Sequence, residues 1–460
     1  MIFSDTIAAL ATPAGIGGIG VIRISGPDSE SIALKIFRPP PRQKFISHHL
    51  YHGEIVSPET DETLDEVLIA LFRAPHSFTG EDTLEISCHG GPFILETVMD
   101  AVLRAGARPA QRGEFTRRAF LNNRLDLAQA EAVNDLITAQ TSQGATAALG
   151  RLKGNLSGEI GKIREELLTL LARIEASIDF TDEDGMEEEA GGMAHFITPL
   201  IAAVERLTAT YRQGKIARKG IGVVIAGLPN VGKSSLLNRL LGEKRAIVSA
   251  APGTTRDFIE ETADIAGIPV RLTDTAGIRR PQDDIEKAGI DFLWGKVASA
   301  DAVLFMVDAS REIAAEELEM LKKMSGKPLL LVFNKSDLPA LADEKSLAGI
   351  LPANIPPPAR ISAKYGDGIE TLFAAIHGLA MQTEAGETPA AMIAHAHQKT
   401  SLEKTNDCLK RASQGVQNGV TPEIVALELR EALDSIGEIT GKTSNEDILN
   451  RIFSQFCIGK

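Results

Sequence analysis

The amino-acid sequence predicts a multidomain protein of mixed class: a small α+β domain at the N-terminus, a discontinuous helical domain, and an inserted α/β domain with a mostly parallel sheet and helices on both faces. Three observations support this prediction. The chain has 460 residues, which is too long for one hydrophobic core. Apolar runs at 221–226 and 329–333 are typical of buried parallel strands. Helical spacing of apolar residues occurs on both sides of these runs.

The predicted domain boundaries follow changes in this pattern. Residues 1–122 form the N-terminal domain, 123–219 and 383–460 the two parts of the helical domain, and 220–382 the insertion. The helices on either side of the insertion each have an apolar stripe to bury, so we expect them to pack on each other. Structural changes in the inserted domain would then reach the helical domain through both connections.

Within the N-terminal domain, residues 5–10, 19–24 and 83–88 are predicted as strands, and 29–37 and 93–104 as helices. Gly15, Gly17 and Gly20 match G-x-G-x-x-G, but a strand rather than a helix follows them, so a dinucleotide site is not predicted.

In the helical domain, the spacing predicts long helices over 125–180 and another helix over 198–215. Between them lies an acidic segment, 179–189, for which a solvated loop is favoured over a metal site.

Composition restricts the class of protein. The sequence contains no run of about 18 apolar residues and no basic segment followed by an apolar one at its start, which predicts a cytoplasmic protein that neither spans a membrane nor is secreted. Its cysteines, Cys88, Cys408 and Cys457, are too far apart for a zinc motif or a disulfide framework. The net charge of −14 argues against broad nonspecific binding to nucleic acid, but it allows a local basic patch.

The segment 227–234 reads G-L-P-N-V-G-K-S and matches the phosphate-binding pattern G-x-x-x-x-G-K-[ST] between a strand and a helix. Its glycines allow backbone N–H groups to surround phosphate oxygens at the positive end of the helix. Lys233 is expected to reach the β- and γ-phosphates, and Ser234 to bind Mg²⁺. The same loop supplies the predicted contacts Asn230, Val231, Gly232 and Ser235.

Three further motifs indicate that the nucleotide is GTP. Asp274, Thr275, Ala276 and Gly277 form D-x-x-G, which senses Mg²⁺ and the γ-phosphate. Asn334, Lys335 and Asp337 form N-K-x-D. Asp337 can accept hydrogen bonds from N1 and N2 of guanine, a pairing that adenine lacks. Ser362, Ala363 and Lys364 are predicted to add a backbone N–H near the guanine oxygen.

The residues for hydrolysis are less conventional. Thr255 lies where the first switch loop belongs and is predicted as a second Mg²⁺ ligand. Ile278 occupies the position after D-x-x-G where many GTPases carry a glutamine, so another group must position the water and neutralise charge. From the residues alone, Glu286 is either a catalytic carboxylate or a solvated side chain.

Near the C-terminus, Cys457 is either a packing residue or a reactive thiolate beside Lys460.

Taken together, these features resemble the MnmE (TrmE) family of tRNA-modification GTPases. The resemblance extends over the whole chain and rests on the segments 5–7, 11–13, 78–82, 89–92, 118–122, 125–131 and 457–460. It implies a homodimer formed through an N-terminal domain that binds 5-formyl-tetrahydrofolate. It also implies an FAD-containing partner, MnmG, with which C5 of the wobble uridine in certain tRNAs receives a carboxymethylaminomethyl-type group.

The resemblance assigns roles to particular residues. The matching folate positions are Arg23, Glu85, Arg124 and Lys460; relatives can carry lysine where Arg124 stands, which keeps the charge but alters the donor geometry. A K⁺ ion would replace an arginine finger, and its matching ligands are Asn230, Ser249, Ala251 and Thr254. Glu286 matches the residue that activates water, and Cys457 matches a cysteine needed for modification, in a chemical role that stays open. The alternative function is a GTP switch in ribosome assembly.

Overall fold

The structure is a computed structural model that describes residues 4–41, 44–179, 186–244, 260–274, 294–324, 326–342, 347, 350–351, 355–381, 389–443 and 446–460. The chain divides into two compact units. The first unit comprises Met1–Asn134, Ser157–Met193 and Arg411–Lys460, and the second comprises Asp135–Leu156 and Ala194–Lys410. The domain boundaries proposed from the sequence stay a prediction.

The described elements are mixed along the chain. The strands are β1 (Ile7–Leu10), β2 (Ile19–Ser25), β3 (Phe37–Arg38), β4 (His49–Val56), β5 (Thr63–Phe72), β6 (Thr83–His89), β7 (Arg108–Pro109), β8 (Ile221–Ala226), β9 (Glu260–Ile265), β10 (Ile268–Asp274), β11 (Ala302–Asp308), β12 (Leu329–Asn334) and β13 (Ala359–Arg360). The helices are α1 (Ser29–Ile36), α2 (Pro92–Arg104), α3 (Glu114–Leu121), α4 (Leu127–Ile137), α5 (Ser142–Leu152), α6 (Asn155–Asp179), α7 (Met186–Ala209), α8 (Tyr211–Lys219), α9 (Lys233–Lys244), α10 (Ala315–Met324), α11 (Ile369–Met381), α12 (Ala396–Gln417), α13 (Pro422–Thr440) and α14 (Glu446–Phe453).

The N-terminal part of the first unit is a seven-stranded sheet in the order β3-β4-β5-β6-β2-β1-β7. Its strands pair antiparallel except for β1 and β7. Alternation along β6 explains its place in the sheet, because Leu84, Ile86 and Cys88 point into the core while Glu85 and Ser87 lie on the other face. The strands and helices predicted in this domain are confirmed, and a strand, β2, follows Gly15 and Gly17, as predicted.

Helices from both sides of the inserted domain contact each other in the first unit. Ile163, Leu167 and Ile174, which share the predicted stripe of α6, are buried. An ion pair of 2.7 Å between Arg430 and Glu175 joins α13 to α6. Leu127 of α4 also shares a buried apolar cluster with Leu449 and Phe453 of α14, so the expectation that these helices pack on each other is confirmed.

The inserted domain lies in the second unit and contains a six-stranded sheet in the order β13-β12-β11-β8-β10-β9. All its pairs are parallel except β9 with β10. Separate apolar clusters cover its two faces, one with residues of α9 and α11 and the other with residues of α10. This arrangement confirms the predicted sheet, and it brings the ends of β8, β11 and β12 to one edge.

Two predicted helix boundaries are wrong. The helix predicted over 198–215 is divided at Thr210 into α7 and α8, because the Thr210 hydroxyl donates to the carbonyl of Leu207 at 2.6 Å and accepts from the N–H of Ile393 at 3.2 Å. The acidic loop predicted over 179–189 ends earlier, since α7 begins at Met186. Residues 180–185 lie outside the described part of the chain.

Both connections of the inserted domain meet at one buried carboxylate, in what we call the Asp135 cluster (Asp135, Arg151, Arg218 and His395). Asp135 accepts from Arg151 at 2.8 Å, from Arg218 at 2.7 Å and from His395 at 3.0 Å. Arg218 lies near the end of α8, directly before the domain, and His395 directly precedes α12, after it. The cluster therefore ties the entry and the exit of the inserted domain to α4 and α5.

The charges of this cluster keep Asp135 ionised. Burial by itself raises the pKa of Asp135, but the hydrogen bond and charge of His395 and the charges of Arg218 and Arg151 lower that pKa well below its usual value.

Among the described helices, none is both long enough and apolar enough to cross a membrane.

Candidate functional site

The loop after β8 has the backbone of a phosphate-binding loop. Gly227 has φ of 145° and Gly232 has φ of 102°, which only glycine adopts readily. A Cβ on Gly227 would lie 2.4 Å from the carbonyl oxygen of Met306, and one on Gly232 would lie 2.2 Å from Nδ2 of Asn334. Both glycines are thus required by conformation and by space, and the loop leads directly into the N-terminus of α9.

Lys233 lies across this loop. Its Nζ donates to the carbonyl oxygens of Gly227 at 2.9 Å and Leu228 at 2.8 Å, and the side chain is buried. Ser234 and Ser235 follow on the exposed first turn of α9. The loop N–H groups are thus joined by the ammonium group of Lys233, which suits a triphosphate, and by the hydroxyl of Ser234, which suits Mg²⁺.

The structure describes only part of the predicted cation and hydrolysis site. Asn230 has φ of 65° and is exposed at the tip of the loop. Asp274 is described by its backbone alone, at the end of β10 beside Ile225 of β8. The other predicted residues lie outside the described part of the chain: Ser249, Ala251, Thr254, Thr255, Thr275, Ala276, Gly277 and Glu286.

The guanine motifs are joined to the phosphate loop through Asn334. Its side-chain amide donates to the carbonyl of Val231 at 2.8 Å, and its side-chain oxygen accepts from the N–H of Ala363 at 2.9 Å. The hydroxyl of Ser362 donates to Asp337 at 2.7 Å, while Asp337 itself is exposed. Three segments distant in sequence are therefore assembled at one edge of the sheet.

Two supporting residues were not predicted. Asp308, at the end of β11, pairs with Lys335 at 2.5 Å. Burial raises the pKa of Asp308, but the hydrogen bonds from Lys335 and Ser310 lower it overall. Arg239 of α9 donates to the carbonyl of Lys364 at 2.6 Å. The sequence signal for Asp308 is its place at the end of a buried strand, as with Asn334.

A second group of predicted residues meets in the first unit. Arg23 of β2 and Glu85 of β6 are partners in register, and their side chains form an ion pair at 2.8 Å. The Arg23 guanidinium lies 5.6 Å from the centre of the Phe78 ring and 6.0 Å from that of Phe115. These aromatic neighbours were not predicted as site residues, because only the tertiary structure brings them to Arg23.

The segment with Cys457 and Lys460 joins this group. Burial, together with the positive charge of Arg23, lowers the pKa of Lys460 from its usual value. A Cβ on Gly459, which has φ of 90°, would lie 2.2 Å from the carbonyl oxygen of Leu10, so the segment packs tightly against the end of β1. Cys457 is exposed, so the interpretation of its side chain as a packing residue is wrong.

Arg124 lies next to the same group. Its Nε donates to the carbonyl of Ser77 at 3.2 Å, directly before Phe78. The structure thus brings Arg23, Glu85 and Lys460 together, with Arg124 connected through 77–78. We call these four residues the Arg23 cluster.

Comparisons with known proteins cover nearly the whole chain. The family model described as the GTP-binding protein TrmE N-terminus matches residues 6–124, and that of the MnmE helical domain matches residues 127–457. The chain is 48% identical over 457 residues to the tRNA modification GTPase MnmE of Syntrophus aciditrophicus, which covers 99% of both chains. It is 44% identical over 457 residues to the MnmE of Natranaerobius thermophilus, also over 99% of both chains. The chain belongs to the MnmE (TrmE) family.

Membership of this family confirms the resemblance drawn from the motifs, and with the phosphate and guanine motifs it makes the chain a GTPase. Among solved structures, the G domain of the T. maritima FeoB iron transporter is 28% identical and covers 35% of this chain and 98% of that one, with a TM-score of 0.26.

Proposed function

We propose that this GTPase is stimulated by K⁺ and acts with an FAD-containing partner of the MnmG type on certain tRNAs. Together they convert C5 of the wobble uridine to a carboxymethylaminomethyl derivative, with 5-formyl-tetrahydrofolate as the one-carbon donor. The observation that carries the proposal is the Arg23 cluster with the exposed Cys457 beside it, because a protein that only switches with GTP has no use for either.

The chemistry of the Arg23 cluster suits a reduced folate. A folate offers a flat heterocycle with N–H donors, a second aromatic ring and the carboxylates of a glutamate tail. Glu85 can accept N–H donors, Arg23, Arg124 and Lys460 can bind anionic groups, and Phe78 offers an aromatic surface.

Exposed apolar side chains support the proposed homodimer through the N-terminal domain. Ile16, Ile19 and Phe93 are 93%, 69% and 77% exposed. The N–H of Gly17 donates to the carbonyl of Gly90 at 3.0 Å, which fixes the loop of Ile16 to the turn before Phe93. Such a patch on a soluble domain is typical of a protein interface.

For the nucleotide, we propose the assignments made from the motifs. Ser234 and Thr255 bind Mg²⁺, and Glu286 activates water. Asn230 and the segment with Ser249, Ala251 and Thr254 bind K⁺. The ion supplies positive charge near the phosphates in place of an arginine finger.

Substitution of alanine for Asn230 is expected to abolish stimulation of GTP hydrolysis by K⁺. We expect the wild type to hydrolyse GTP about tenfold faster or more in K⁺ than in Na⁺ at equal ionic strength, and the variant to hydrolyse it at one slow rate in both salts. Phosphate release measures these rates. Ser235→Ala, a small change in the adjoining first turn of α9, should retain the K⁺ response. A variant N230A that still responds fully to K⁺ would contradict the assignment.

The second candidate function is a GTP switch in ribosome assembly, which the same nucleotide domain would serve. Cellular tRNA distinguishes the two. We expect cells without this gene to lack the modified wobble uridine, as measured by mass spectrometry of nucleosides. Expression of the wild-type protein, which we propose acts in the cytoplasm, is expected to restore the modification. The variant Cys457→Ser is expected to restore less than about a tenth, because a hydroxyl is a far weaker nucleophile than a thiolate.

Cys408→Ser, a change at a buried cysteine, is the matched control and should restore modification. Full rescue by Cys457→Ser would remove the chemical role of the thiol and leave the pathway intact. Normal modification in the deletion strain would contradict the proposed function and favour the GTP switch.

A further inference from the structure

A second concentration of charge in the N-terminal domain lies apart from the Arg23 cluster. Residues 104–118 contain five arginines, no lysine and one acidic residue, Glu114, in a chain whose net charge is −14. Because the protein as a whole repels polyanions, a basic segment of this kind indicates a localised anion site.

Four of these arginines line a cavity of about 500 Å³ beside α3 and α14. They are Arg108, Arg112, Arg117 and Arg118, and Asn450 and Ser454 of the opposite wall add polar groups. The volume is in the usual range for ligand sites, and it exceeds that of a single small ion. We call this space the arginine cavity.

Two of the four arginines are already neutralised. Arg118 is fully buried and pairs with Asp5 at 2.9 Å and Glu81 at 3.2 Å, and Arg108 donates to both oxygens of Glu114 at 2.9 and 2.6 Å. Burial raises the pKa of Glu114, but hydrogen bonds from Arg108, the N–H of Gln111 and Arg118 lower it overall. These ionised pairs form a fixed wall of the cavity.

The positive charges of the other two arginines are not balanced by buried carboxylates. Arg112 is exposed and has no hydrogen bond or ion pair with any residue that the structure describes. Arg117 has one ion pair, 3.3 Å long, with Glu446, whose side chain is 78% exposed. Exposed pairs of this kind are weak. The Nε of Arg117 is buried and has no acceptor among the described residues, so the protein does not saturate the donors of this guanidinium group.

The arginine cavity adjoins the segment that carries Cys457. Gly113, between Arg112 and Glu114, donates its N–H to the carbonyl of Cys457 at 3.3 Å. Phe453, in the wall of the cavity, precedes Cys457 by four residues. A group bound in the cavity is therefore held near the backbone of the segment that carries Cys457.

We propose that the arginine cavity binds a phosphate of the tRNA backbone through Arg112 and Arg117. The planar guanidinium group matches phosphate with two parallel hydrogen bonds, which favours phosphate over a less structured anion. RNA is the source of this phosphate because the cavity lies beside Cys457, and this step rests on the proposed function. A contact of this kind positions the RNA without reading its sequence.

The test measures binding of tRNA to the full chain by fluorescence anisotropy at several KCl concentrations. The double variant Arg112→Gln and Arg117→Gln is expected to bind about 10- to 100-fold more weakly, and the slope of log K against log[KCl] is expected to become shallower by about 2. Arg104→Gln is the matched control, because Arg104 belongs to the same segment, is 57% exposed and pairs with Glu59 away from the cavity. It should leave affinity and slope unchanged, and GTP hydrolysis should be equal in all proteins.

Protection from chemical modification gives a second readout on the wild type, where no substitution affects folding. Bound tRNA is expected to protect Arg112 and Arg117, but not Arg104, from phenylglyoxal, as measured by mass spectrometry of peptides. Protection of all three, or of none, would overturn the proposal.

The remaining outcomes separate the site from the function. If wild type binds tRNA and the double variant binds it equally with the same slope, the arginine cavity is not the site, and the proposed function stands. An equal loss in Arg104→Gln would show general attraction instead of a site. If the double variant binds a polyglutamate peptide more weakly than wild type does, but binds tRNA with unchanged affinity, the cavity is a site for an acidic protein, and the proposal is overturned. If wild type binds no tRNA at any salt concentration, with or without its FAD-containing partner, the proposed function fails as well.

Discussion

Replacement of Asp337 by asparagine is expected to weaken GTP binding by about 10²- to 10⁴-fold, because a carboxylate that accepts two N–H groups of guanine is lost. The same variant is expected to gain affinity for xanthosine triphosphate, since the amide N–H₂ of asparagine can donate to the oxygen at C2 of xanthine. The hydroxyl of Ser362, which donates to Asp337 at 2.7 Å, keeps an acceptor in the variant, so the loop should stay in place. Titration with fluorescent analogues of both nucleotides measures the two affinities.

Asp301→Asn makes the same chemical change at the opposite end of the sheet, where Asp301 accepts from the N–H of Gly222 at 2.7 Å. We expect it to leave both affinities unaltered. Unchanged GTP affinity in the Asp337 variant, or a loss of GTP without any gain of xanthosine triphosphate, would contradict the role given to this carboxylate.

Asp135→Asn is expected to lower the free energy of unfolding of the second unit by about 3–5 kcal/mol, because it leaves buried guanidinium groups without their counter-ion. The side chains of Asp135 and Arg151 are each only 3% exposed. Since folding lowers the pKa of Asp135, its contribution is complete above the unfolded pKa of about 3.9 and is lost as the pH falls further. The difference between wild type and variant should therefore be smaller at pH 3 than at pH 5, as measured by urea unfolding.

Glu205→Gln provides the control for this experiment. Glu205 pairs with Lys410 at 2.7 Å in the same unit, but both side chains are about half exposed, so we expect no measurable change in the free energy of unfolding. A loss below about 1 kcal/mol in Asp135→Asn would show that the Asp135 cluster does not hold this unit together. A full loss would show that the Asp135 cluster is a major source of stability where both connections of the nucleotide domain meet.

The Asp135 cluster is also a candidate element for transmitting a conformational change of the nucleotide domain to the helices beside it. Arg218 and His395 hold the same carboxylate from the two ends of the inserted domain. A movement of the domain that displaces either end must therefore disturb one shared ion-pair network. The ion-pair network of Asp135 is thus a specific physical element for such coupling. Mutation of Asp135 can test its role without altering the GTP site.

The sequence by itself determined the nucleotide domain and its ligand class. Local order suffices there, because a strand, a glycine loop and a helix follow one another within a few residues, and the guanine motifs follow strands whose carboxyl ends must share one edge. The stripe of Ile163, Leu167 and Ile174 was predicted for the same reason, since helical spacing is a local property. The break at Thr210 was not predicted, because a distant N–H, that of Ile393, stabilises it.

Only the tertiary structure decided which distant charges share a site. Arg23, Phe78 and Lys460 are far apart in sequence, and their meeting depends on strand register and on how the segment of Gly459 packs against β1. The Asp135 cluster and the arginine cavity likewise unite residues whose sequence neighbours give no sign of their partners. An ion pair is specified by distance in space and by loss of solvent, and neither quantity is encoded in local spacing.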